Sequence, residues 1–147
     1  MDIRIGRNLI MKNESLADDY ISRAEKRISA LNALMKVQAW ADVVRESQEV
    51  VELALKGLMR RKKLEVPRVH DVSEILITHQ SKFSKAFHAK LKKLCEISHE
   101  LRRDRELAFY GSEDLSPSSF YKKADADRAI KSAKFTVSTI LESWDAL

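Results

Sequence analysis

The run LADDYISRAEKRISALNALMKVQAWADVVRESQEVVELALKGL, from Leu16 to Leu58, decides the fold. Its first half carries an apolar stripe at Leu16, Tyr20, Ala24, Ile28, Leu31 and Met35, the three-to-four spacing of one face of an α-helix. A second stripe follows at Trp40, Val43, Val44, Val50, Val51, Ala54 and Leu58. Five residues separate Met35 from Trp40, which turns the face by about 140° at 3.6 residues per turn. The two stripes therefore cannot serve one core on one straight helix. The phase slip predicts a break near Lys36 to Ala39, although neither glycine nor proline marks it.

Upstream, MDIRIGRNLIMKN sets Ile3 and Ile5 among polar neighbours and is interrupted by Gly6. It reads as an extended arm over residues 1–13, ahead of a helical domain over residues 14–147. Asn13 or Ser15 is the expected cap, with Glu14, Asp18 and Asp19 in the first turn where the helix dipole favours acids.

Downstream, the second helix ends in the basic cluster Arg60, Arg61, Lys62 and Lys63, followed by Pro67. Asp71 is the expected cap of a short helix that turns Val72, Ile75 and Leu76 inward. A fourth helix starts near Ser81 or Ser84, carries Phe83, Phe87, Leu91, Leu94, Ile97 and Leu101 on one face, and ends at Gly111. SEDLSPSS, from Ser112 to Ser119, has loop composition. A last helix begins near Ala124, with its stripe at Ala126, Ala129, Ile130, Ala133, Val137, Ile140 and Trp144. The expected fold is all-α, an up-and-down bundle of four long helices plus a short one. Its centre is expected at Val51, Leu55, Leu58, Phe87, Leu91, Leu94, Ile130 and Val137.

Composition agrees. Only 3 Gly and 2 Pro in 147 residues leave few turns, which disfavours a many-stranded sheet. Hydrophobic residues make up 44% and charged residues 33%, the balance of a globular chain. Lys+Arg 27 against Asp+Glu 22 gives a net charge of +5, a mild basic bias compatible with an anionic partner. No apolar run approaches a membrane span, so a cytoplasmic protein without membrane contact is expected. Cys95 is the sole cysteine, expected as a buried, inert thiol. His70, His79, His88 and His99 show no metal-ligand spacing, and neither metal nor cofactor is expected.

The chemistry concentrates in ELRRDRELAFYG, from Glu100 to Gly111. Arg102, Arg103 and Arg105 fall within four positions, followed by Phe109 and Tyr110. Guanidinium is a planar, permanently charged fork suited to phosphate. The opposing reading is that arginines in the last turns of a helix simply face solvent and favour the dipole.

Three motifs together resemble the HEPN-domain family (higher eukaryotes and prokaryotes nucleotide-binding). SQEVVELALKGLM, from Ser47 to Met59, is similar to the family's Ala-rich helix, with Glu52 and Lys56 on its paired Glu and Lys. VPRVHDV, residues 66–72, matches its Pro and His-Asp-Leu segment. Arg103 and Tyr110 fall on the family's Arg, four residues, His, one residue, Tyr. The resemblance spans roughly Ala30 to Leu147. It implies a helical bundle, usually a homodimer, often beside a minimal nucleotidyltransferase; in catalytic members Arg and His from two protomers cut RNA. Here Ala108 stands in the place of that His.

RNA cleavage needs a group that takes the 2′-OH proton, and arginine cannot shuttle protons at neutral pH. The leading expectation is thus a non-catalytic homodimer binding nucleotide, RNA or a nucleotidyltransferase through Arg102, Arg103, Arg105 and Tyr110. The alternatives are a ribonuclease toxin of a toxin–antitoxin pair and a purely structural scaffold.

Overall fold

The structure is a computed structural model that describes the backbone of residues 3–110 and 116–147, and the side chains of residues 14–103 and 116–147. It contains α1 (Ile3–Lys36), α2 (Trp40–Arg61), α3 (Ser73–Thr78), α4 (Lys85–Tyr110), α5 (Pro117–Phe120) and α6 (Lys123–Ser143). Single 3₁₀ turns occupy Gln80–Lys82 and Trp144–Ala146, and no strand occurs among the described residues. The all-α bundle read from the stripes is the fold.

The break between the first two stripes falls where the phase slip requires. α1 ends at Lys36 and α2 begins at Trp40. Gln38 adopts a left-handed φ of 59°, while the Ala39 N–H donates to the Leu34 carbonyl at 3.1 Å. α2 stops in the same manner, with Lys63 at φ 59° and the Leu64 N–H donating to the Met59 carbonyl at 2.9 Å. Such reversals tie up the last helix carbonyls, and glycine usually occupies their left-handed position. Here Gln and Lys accept the strain of about 1 kcal/mol.

α2 is the central helix. It packs against α1, α4 and α6, and α3 lies on α4. Accordingly α2 is buried on nearly every side, from Ala41 to Met59. All eight residues expected at the centre are buried. On α6, Ala126, Ala129, Ile130, Ala133, Val137 and Ile140 are buried as well, and Asp125 accepts from the Lys122 N–H at 2.8 Å to cap the helix. Gly57 lets α1 and α2 approach closely, because a Cβ there would stand 3.2 Å from the Tyr20 Cβ and 3.3 Å from the Ile21 nitrogen.

Three expectations are corrected. Residues 3–13 are not an extended arm, since α1 already runs from Ile3 and passes through the expected caps Asn13 and Ser15. Two alternating isoleucines do not make a strand without a partner, and Gly6 costs a helix only about 1 kcal/mol. The α1 stripe is also turned by one residue at its start, so that Ala17 and Ile21 are buried while Leu16 and Tyr20 are half-buried. Finally, the end of the expected loop is the one-turn α5, which Pro117 opens; proline is well suited to a first helical position. The expected cap Gly111 lies outside the described residues.

Candidate functional site

α4 continues to Tyr110, so Arg102, Arg103 and Arg105 stand in its body, and its last turn contains no basic residue. Arg103 is exposed and Arg102 half-buried. Both engage other groups. The side chains of Arg105, Ala108 and Tyr110 lie outside the described residues.

One turn earlier on the same helix, Ser98 and His99 meet Asp71, which lies just ahead of α3 and anchors a small network. Its Oδ1 accepts from the Ser98 hydroxyl at 2.9 Å and from the Ser73 N–H at 3.0 Å; it thus holds the first N–H of α3 from one position outside the helix, and the cap falls on Val72 rather than on Asp71 as expected. Its Oδ2 lies 3.3 Å from His99 Nδ1. Burial alone would raise the Asp71 pKa, but hydrogen bonds from Ser73, Ser98 and His99 together hold it below the ordinary value of 3.8. Residues 99, 102 and 103 share a helix face, since positions three and four apart are neighbours on a helix. The exposed His99 ring and the exposed Arg103 therefore occupy successive turns of one edge.

The residue before Asp71 joins a second network. Glu52, on α2, receives Lys56 Nζ on Oε1 at 2.6 Å. Its Oε2 meets His70 Nδ1 at 2.9 Å and Gln48 Nε2 at 3.2 Å. Gln48 Nε2 also reaches the His70 carbonyl at 3.4 Å. Burial again pushes the Glu52 pKa up, and Lys56, His70 and Gln48 outweigh it to leave the carboxyl below 4.5. The Glu52–Lys56 pair of the sequence motif is thus a half-buried ion pair that receives the adjacent loop through His70.

Neither network is visible in the sequence, except for the Glu52–Lys56 spacing of four. His70 reaches Glu52 across 18 residues, and His99 reaches Asp71 across 28. Cys95 is buried, its Sγ 3.7 Å from the Ser73 carbonyl, and burial with Asp71 and Glu96 nearby pushes the thiol up to about 12. It is protonated and inert as a nucleophile at neutral pH.

The model of the HEPN domain matches residues 17–144, most of the chain. The chain belongs to the HEPN-domain family. No curated protein and no solved structure matches it. Among the described residues no helix is long and apolar enough to cross a membrane.

Proposed function

We propose that this HEPN-domain chain binds the phosphates of RNA or of a nucleotide, as a non-catalytic homodimer, along the α4 edge of Arg102, Arg103, Arg105 and Tyr110. The same edge would serve as the docking face for a minimal nucleotidyltransferase. The observation that carries this reading is the position of Arg103: exposed, and seven residues before the end of α4 rather than in its last turn. A terminal arginine would be explained by the helix dipole, whose effect fades within the last turn; Arg103 is not so explained. Arginine stabilises phosphate charge, while Ala108 leaves the family's proton-shuttling position empty.

Fluorescence anisotropy with a labelled single-stranded RNA tests the reading. Arg103→Ala should weaken binding and lower the slope of log affinity against log salt by about one phosphate's worth, roughly 0.7 for single strands. Equal binding and equal slope in the two proteins would defeat it, and absence of RNA, nucleotide and nucleotidyltransferase binding would leave the scaffold reading.

One observation favours the ribonuclease alternative. His99 is oriented by Asp71 and stands one turn from Arg103, an arrangement in which the other ring nitrogen, Nε2, can accept a proton. His99→Gln separates the two readings: it should abolish any cleavage by the unaltered chain on the alternative, and should leave no cleavage to abolish on the first.

A further inference from the structure

Glu52, His70 and Glu49 each place one potential ligand atom within 4.8 Å of the others. We propose that they form a binding site for a borderline divalent cation such as Zn²⁺ or Co²⁺, at the junction of α2 and the segment 66–72.

Glu52 uses its two oxygens differently. Lys56 occupies Oε1, whereas Oε2 faces His70 Nδ1 at 2.9 Å. Metal–ligand bonds of about 2.0–2.2 Å at the tetrahedral angle place neighbouring ligand atoms about 3.3–3.6 Å apart, so this N–O pair needs to open by only about half an ångström to take two adjacent positions of one coordination shell. Lys56 need not move. It stays on the far oxygen and offsets part of the negative charge.

A second observation points to the same place. Gln48 is 2% exposed and its Oε1 has no hydrogen-bond partner, although its carboxamide sits against Glu52 Oε2. Without a cation the NH₂ end must face the carboxylate, since a carboxylate only accepts. The amide oxygen is thereby left without a donor inside the bundle. A bound cation reverses that preference: rotating the carboxamide by half a turn aims Oε1 at the metal within nearly the same volume and gives up the long 3.4 Å bond from Nε2 to the His70 carbonyl.

The donor set selects the metal. Imidazole nitrogen disfavours Mg²⁺ and Ca²⁺, which prefer oxygen shells, and suits Zn²⁺, Co²⁺ or Ni²⁺. The His70 side chain is 44% exposed, so the site opens to solvent and keeps a position for water or an anionic group. Binding there ties segment 66–72 to α2, beside Asp71 and His99.

Calorimetric titration of the metal-free 147-residue chain with Zn²⁺ is the test, with Co²⁺ as an absorbing substitute. The expected result is one equivalent per chain, with affinity falling at least about tenfold in each of Glu52→Gln, His70→Gln and the isosteric Glu49→Gln. His88→Gln, whose Nε2 meets the Gln80 and Phe83 carbonyls, should bind as the unaltered chain does. Glu49→Gln lies on the half-buried side of α2, so it keeps the test open should His70→Gln fail to fold. No Zn²⁺ or Co²⁺ binding, or binding unchanged in Glu52→Gln and Glu49→Gln, overturns the site.

Discussion

Ser98 Oγ donates to Asp71 Oδ1 at 2.9 Å and thereby fastens the start of α3 to the middle of α4. Ser98 is 3% exposed, so its hydroxyl has no water to replace the carboxylate. Leaving a buried hydrogen-bonding group unsatisfied costs about 1–3 kcal/mol. Asp71→Ala should lower the unfolding free energy by an amount in that range, measured by urea denaturation. A midpoint equal to that of the unaltered chain would show that the network does not hold α3 in place.

Asp71 and Glu52 both contribute to the acid limit of stability. Glu52 and Asp71 have folded pKa values below their ordinary 4.5 and 3.8. A carboxyl of lowered folded pKa contributes stability that is complete above its unfolded pKa and is lost as pH falls through the folded value. Thermal melting should therefore be flat in this term near neutrality and decline below about pH 4.5. Glu52→Gln should be less stable near neutrality and lose less on acidification. A parallel acid decline in the two proteins would remove Glu52 as a source.

Close contact between α1 and α2 makes Gly57 sensitive to size. Gly57→Leu places a branched chain against Tyr20, Ile21 and Ala17, and overpacking of this kind costs about 1–3 kcal/mol. Leu55→Ala and Leu91→Ala, both buried, should each cost about 2–5 kcal/mol. Chemical denaturation measures all three. A loss of under about 0.5 kcal/mol for either leucine would contradict its burial.

Restoring the family's His tests the catalytic assignment directly. The unaltered chain should cleave RNA negligibly, whereas Ala108→His should produce weak cleavage that disappears on adding Arg103→Ala. Gel analysis of a labelled RNA reads the result. Vigorous Arg103-dependent cleavage by the unaltered chain would move the ribonuclease alternative to first place.

Homodimerisation has its own measurement. Stable interfaces bury about 1,200–2,000 Å² in total and persist at micromolar concentration. Sedimentation should show a species of twice the 16.9 kDa chain mass. Only the single-chain mass at low micromolar concentration would exclude a site shared between protomers.

The fold was legible where periodicity is strong. The slip from Met35 to Trp40 located the α1–α2 break because a change of helical phase needs no turn residue to report it. The conformation at the two stops was invisible, since Gln38 and Lys63 take a left-handed backbone that sequence reading assigns to glycine. α1's first turns were misread from two isoleucines, too few to establish a period. For the site, sequence located Arg103 on α4 but not its surroundings. His99 and Asp71 meet only because α3 lies on α4, and His70 reaches Glu52 only because segment 66–72 folds back on α2.

The three-residue link between α1 and α2 has a kinetic consequence. Two long helices joined by Val37, Gln38 and Ala39 form a hairpin whose contacts close a very short loop. α6 must instead return across the chain, as in the 83-residue separation between Arg61 and the Trp144 carbonyl that it binds at 3.1 Å. Loop closure grows costlier with length, and local contacts form first. The α1–α2 hairpin should therefore nucleate folding, with φ-values near Val43 and Leu31 above those near Ile140.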